Sequence, residues 1–173
     1  KSAQGVAIAN SKSICLVDNG EVDGGAWAHD ITLSGIINLN SDLTISGSLF
    51  ITFGGDLKLN GHCIAVGGDL VVESGKLTMK NVLDQVLVNG KFQTSSSDAG
   101  GAMSAGTLEV KGDFQENNTS SFAPSGAHRV KLSGSVVQNV SLAGYSSKFN
   151  ILEICNPSGV KFLSPLNCTS LVN

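Results

Sequence analysis

Apolar residues fall at alternate positions in short runs along much of this chain, and most runs close on a glycine or a polar turn. The pattern is sharpest in the second half. Val86-Leu87-Val88-Asn89-Gly90-Lys91-Phe92 returns as Leu108-Glu109-Val110-Lys111-Gly112-Asp113-Phe114. It returns again as Val130-Lys131-Leu132-Ser133-Gly134-Ser135-Val136, and then as Leu152-Glu153-Ile154-Cys155-Asn156. The starts, 86, 108, 130 and 152, are each 22 residues apart. Alternation puts one side of each run inward, as a strand does, and repetition at a fixed period is the mark of a solenoid.

The first half carries a looser version. Ile31-Thr32-Leu33-Ser34-Gly35, Leu43-Thr44-Ile45-Ser46-Gly47, Leu57-Lys58-Leu59-Asn60-Gly61 and Leu70-Val71-Val72-Glu73-Ser74-Gly75 share one pattern, with closing glycines 12, 14 and 14 residues apart. Gly54-Gly55-Asp56 and Gly67-Gly68-Asp69 read as repeated turns of the same series. The expectation is a coil of about half the later period, opening into a strand plus a longer excursion.

A right-handed parallel β-helix (a β-solenoid) accounts for both halves, with coils of about 22 residues in the C-terminal half. Coils stack about 4.8 Å apart and hydrogen-bond in parallel. Stacking aligns Val86, Leu108, Val130 and Leu152 in one interior column, and Val88, Val110, Leu132 and Ile154 in a second; Phe92 and Phe114 start a third. Glu109, Lys131 and Glu153 fall in an outward column of alternating charge, the favourable order for neighbours across strands. Gly90, Gly112 and Gly134 mark the corner after the strand, where positive φ or close backbone approach is needed. A β-sandwich also has short strands between turns, but it does not require copies at a strict 22-residue spacing. Residues 1–30, with the only Trp at position 27, lie outside the repeat and read as an N-terminal capping segment; residues 31–173 form the solenoid.

Composition narrows the functions. With 21 Gly, 14% charged residues and a net charge of −3, the chain suits strands and turns. Its scattered Lys and Arg argue against nucleic acid, which requires a basic stripe. No apolar run approaches the roughly 18 residues of a membrane span. Of the four cysteines, Cys63 reads as a small buried apolar residue. Cys155 and Cys168, both in the last coil, are the candidate disulfide in an oxidising compartment. None forms a zinc-type pair, so no metal or cofactor is expected.

Residues 107–154 carry a resemblance. Thr107-Leu108-Glu109-Val110-Lys111-Gly112-Asp113-Phe114-Gln115, Ser125-Gly126-Ala127-His128-Arg129-Val130-Lys131-Leu132-Ser133-Gly134, Gln138-Asn139-Val140-Ser141 and Lys148-Phe149-Asn150-Ile151-Leu152-Glu153-Ile154 are its core. They resemble a module repeated in large secreted or cell-surface proteins of anaerobic Gram-positive bacteria. The likeness extends more loosely over residues 43–106. It implies an extracellular scaffold or adhesive role and supplies no catalytic residues. The glycine-punctuated coils are also similar in architecture to bactofilins, solenoids that polymerise end to end.

No catalytic constellation emerges. Parallel β-helices include polysaccharide-active enzymes, whose sites group carboxylates or calcium with a base on one outer face. Asp56 and Asp69 read instead as residues that cap tight corners. Ser158-Gly159-Val160-Lys161 matches Ser-x-x-Lys only in a turn, and His128 reads as a turn residue at a corner equivalent to Gly106 and Asn150. The sequence therefore predicts a non-enzymatic structural protein, secreted or at the cell surface, that forms a homo-oligomer or filament by stacking its solenoid ends. The alternative is a carbohydrate-binding or degenerate polysaccharide-active β-helix, with a surface polysaccharide as partner.

Overall fold

The computed structural model describes residues 13–96, 101–117 and 122–173, which are all strand, turn and loop, with no helix. Three parallel sheets run along a prism. Face A stacks β1 (Ser13–Leu16), β4 (Asp30–Leu33), β7 (Leu49–Ile51), β10 (Leu70–Val72), β13 (Phe92–Thr94), β15 (Phe114–Glu116), β17 (Gln138–Ser141) and β19 (Val160–Phe162). Face B is shorter: β2 (Gly20–Val22), β5 (Ile36–Leu39), β8 (Asp56–Lys58) and β11 (Lys76–Thr78). Face C stacks β3 (Gly25–Trp27), β6 (Leu43–Ile45), β9 (Cys63–Val66), β12 (Gln85–Val88), β14 (Thr107–Val110), β16 (Arg129–Leu132), β18 (Phe149–Ile154) and β20 (Cys168–Val172). The chain visits A, B and C in turn and then climbs one coil, making about seven turns of a β-solenoid.

Register bears out the columns read from the sequence. Val86 pairs with Leu108, Leu108 with Val130 and Val130 with Leu152; Val88, Val110, Leu132 and Ile154 follow the same ladder, and Phe92 lies on Phe114. Val110 and Leu132 are fully buried, while Glu109 and Lys131 are half-buried neighbours whose charged groups meet at 3.3 Å.

The reading of the first half needs correction. Its four similar runs do not stack on one another at half a period. Ile31–Leu33 and Leu70–Val72 belong to face A, Leu43–Ile45 to face C and Leu57–Lys58 to face B. A coil there has three strands, and the face-A ladder advances by 17, 18 and 21 residues before it reaches 22. Gly54-Gly55 turns from A to B and Gly67-Gly68 from C to A, so these are different corners. The solenoid also begins before residue 31: from Ser13 the chain already forms a full coil, with β1, β2 and β3 paired to β4, β5 and β6. Residues 1–12 of the expected cap lie outside the described residues.

The core changes character as the coil grows. Lower coils are filled by Ile and Leu, such as Ile31, Leu33, Leu49 and Ile51. Upper coils, with 22 or more residues, enclose a wider section that aromatic rings fill. Phe114 lies 4.9 Å from Phe92 and 5.1 Å from both Phe122 and Phe149, centroid to centroid. These spacings suit offset and edge-to-face contacts.

Candidate functional site

The corners explain most of the glycines and acids. Gly68 N–H donates to the Gly47 carbonyl at 2.8 Å, Gly90 to Gly68 at 2.9 Å and Gly112 to Gly90 at 2.8 Å. None of these residues has positive φ; the need is close approach, since a Cβ on Gly112 would stand 2.4 Å from the Gly90 oxygen. At Gly134 the column breaks. The face-A ladder there advances 26 residues, from Phe114 to Val140, and the buried Gln138 side chain fills the gap. Its Oε1 accepts from Gly134 N–H at 2.8 Å, and its Nε2 donates to the Gly112 carbonyl at 2.6 Å.

Asp30, Ser48 and Asp69 each cap the coil above or below. Ser48 N–H donates to Asp30 Oδ1 at 2.7 Å, Asp69 N–H to Ser48 Oγ at 3.0 Å and Lys91 N–H to Asp69 Oδ1 at 2.9 Å. Asp56 Oδ1 accepts from Thr78 Oγ1 at 2.6 Å. Both Gly-Gly-Asp carboxylates are thus engaged in tying coils together. Among the described residues no group of three or more His, Cys, Asp or Glu side chains is placed to hold a metal ion.

The cysteine expectations are overturned. Cys168 sits beside Phe149 at one end of β18, whereas Cys155 follows its other end, six positions on. At ~3.3 Å per residue they are roughly 20 Å apart, far beyond the roughly 4.4–6.8 Å between Cα atoms that a disulfide requires. Both are free thiols. Cys63 points outward, because Ile64 and Val66 take the inward positions of its strand. Its thiol is raised above the ordinary value by burial and then by Asp42 and Asp84. The Cys155 thiol is raised by its hydrogen bond to Glu153, whose carboxyl is held below its usual range chiefly by Arg129. A raised thiol is a weak nucleophile at neutral pH.

Sequence reading missed three buried polar groups, and strand alternation marks each one. His128 closes the expected corner, its N–H donating to the Ser125 carbonyl at 3.1 Å, but it precedes inward Val130 by two positions and is fully buried, with neither imidazole nitrogen hydrogen-bonded among the described residues. Burial lowers its pKa to about 4. Glu116 follows inward Phe114 by two and is also buried. Its carboxylate accepts from Phe122 N–H at 2.8 Å, Ser147 Oγ at 2.9 Å, Ala143 N–H at 2.9 Å and Gly144 N–H at 3.2 Å, pinning two excursions to the core. Asp84, two positions before inward Val86, accepts from Gly61 N–H at 2.6 Å and Asn81 N–H at 2.9 Å.

Two surface features remain. On face B, where the sheet ends, Lys58, Asn60, Thr78, Lys80, Asn81, Val82 and Asp84 line an open cleft. At the last coil, Leu171 lies over Leu152 in the interior column yet is 52% exposed, with Leu163, Leu166 and Val172 exposed beside it. No family model, curated protein or solved structure matches the chain.

Proposed function

We propose that the chain is a non-catalytic structural unit of a secreted or cell-surface protein, and that its solenoid stacks through the last coil against another copy. The observation that carries this reading is the uncovered apolar end of the interior columns. Leu171 continues a ladder whose lower members, Leu152, Val130 and Leu108, are buried, exposed Val172 lies over Glu153 in the outward column, and residues 162–173 carry no charged side chain. Among the described residues β20 has a strand on one side only, so its outer edge offers a row of backbone donors and acceptors. Such an edge templates a further strand unless charge or a cap blocks it. The low charge of the whole chain and its likeness to repeated surface modules support the same reading.

The test is a dilution series by light scattering with negative-stain imaging. Association that Leu171→Lys abolishes, with an unchanged circular dichroism spectrum, is the expected result. A strictly monomeric wild-type protein at millimolar concentration would refute the proposal.

A further inference from the structure

The face-B cleft is built to donate hydrogen bonds. Asn81 Oδ1 accepts from Leu83 N–H at 3.0 Å, which fixes the exposed side-chain amide with its Nδ2 unpaired among the described residues. That nitrogen stands over Gly61, where a Cβ would come within 3.0 Å of it. Gly61 has φ +92° and Asn60 beside it φ +54°, so the wall of the cleft is two successive left-handed residues. Asn tolerates that region and Gly enters it freely, so the pair forms a tight turn that fixes the cleft wall.

The carboxylates at the cleft are engaged: Asp84 receives two backbone N–H groups, and Asp56, the ion-pair partner of Lys58, receives Thr78 Oγ1. Two ammonium groups face the opening: Lys80 is exposed and has no ion pair among the described residues, and Lys58 lies 4.0 Å from Asp56, at the limit of an ion pair. Val82, 73% exposed, forms an apolar lip. The Asn81 amide donor and the Lys80 ammonium, beside an apolar edge, suit an anion carried on a ring with an apolar face.

We infer that this cleft binds a carboxylate-bearing sugar, with Lys80 facing the carboxylate, Asn81 Nδ2 donating to it or to a neighbouring hydroxyl, and Val82 packing on the ring. The inference does not depend on stacking. The two are separated by following binding and oligomeric state in the same sample.

The probe is tri-galacturonate, titrated calorimetrically beside its fully methyl-esterified, uncharged form. Binding of the acid form, weakened at least tenfold by esterification and reduced by added salt, is expected. Lys80→Ala should weaken it at least fivefold. Asn81→Asp keeps the acceptor for Leu83 N–H but turns the free donor into an acceptor, and should abolish binding without altering the circular dichroism spectrum. Lys161→Ala, on face A, should change nothing. Equal affinity for both forms, no heat at millimolar ligand, or wild-type affinity in Asn81→Asp would each overturn the assignment.

Discussion

His128 makes the upper coils sensitive to acid. Its imidazole is fully buried and has no hydrogen-bond partner among the described residues, and burial alone lowers its pKa from 6.5 to about 4. Above pH 6.5 the ring is neutral in both folded and unfolded chains and contributes no pH dependence. Between pH 6.5 and 4 the unfolded chain takes up a proton that the folded one refuses, so stability falls as the pH falls. Below about pH 4 both forms are protonated and the loss levels off. The gap between the two pKa values, at ~1.36 kcal/mol per pH unit, corresponds to about 3 kcal/mol. His128→Leu removes both the titration and two unsatisfied nitrogens, each costing about 1–3 kcal/mol when buried. Urea titrations of both proteins at pH 7.5, 6, 5 and 4 should be followed by far-ultraviolet circular dichroism, because Trp27 sits in the first coil and reports on the far end of the solenoid. The variant should be at least as stable as wild type at pH 7.5, and its advantage should grow by about 3 kcal/mol by pH 4. Parallel stability curves would refute the reasoning, as would a native His128 that titrates near 6.5 by NMR.

The remaining expectations concern register and corner. Val110→Asp places an unpaired carboxylate in a fully buried column and should cost at least ~3–5 kcal/mol. Lys131→Ala loses only the half-buried pair with Glu109 and should cost under ~1 kcal/mol in the same denaturation series; similar losses for the two would contradict the 22-residue ladder. Gly112→Ala drives a methyl against the Gly90 carbonyl, 2.4 Å away, and should destabilise by about 1–3 kcal/mol. A melting temperature unchanged from wild type would show that the corner relaxes freely.

The repeat at 86, 108, 130 and 152 determined the solenoid, its interior columns and the outward charge ladder, because a constant coil length converts sequence spacing directly into contact. The lower half resisted that reading for the same physical reason. Its coils lengthen from 17 to 22 residues and contain three strands, so residues alike in sequence stand on different faces. Cys155 and Cys168 show the limit of proximity along the chain: they belong to adjacent coils but to opposite ends of the strand pair. His128, Glu116 and Asp84 were legible as inward positions by alternation alone, yet their chemistry was not. Whether a buried polar group is left bare, as in His128, or surrounded by donors, as in Glu116, depends on which loops close over it, and only the tertiary structure sets that. The face-B cleft is likewise a tertiary product. Lys58, Lys80 and Asn81 come together because β8 and β11 stack in register and because Asp84, from inside the coil, holds the turn that carries Asn81.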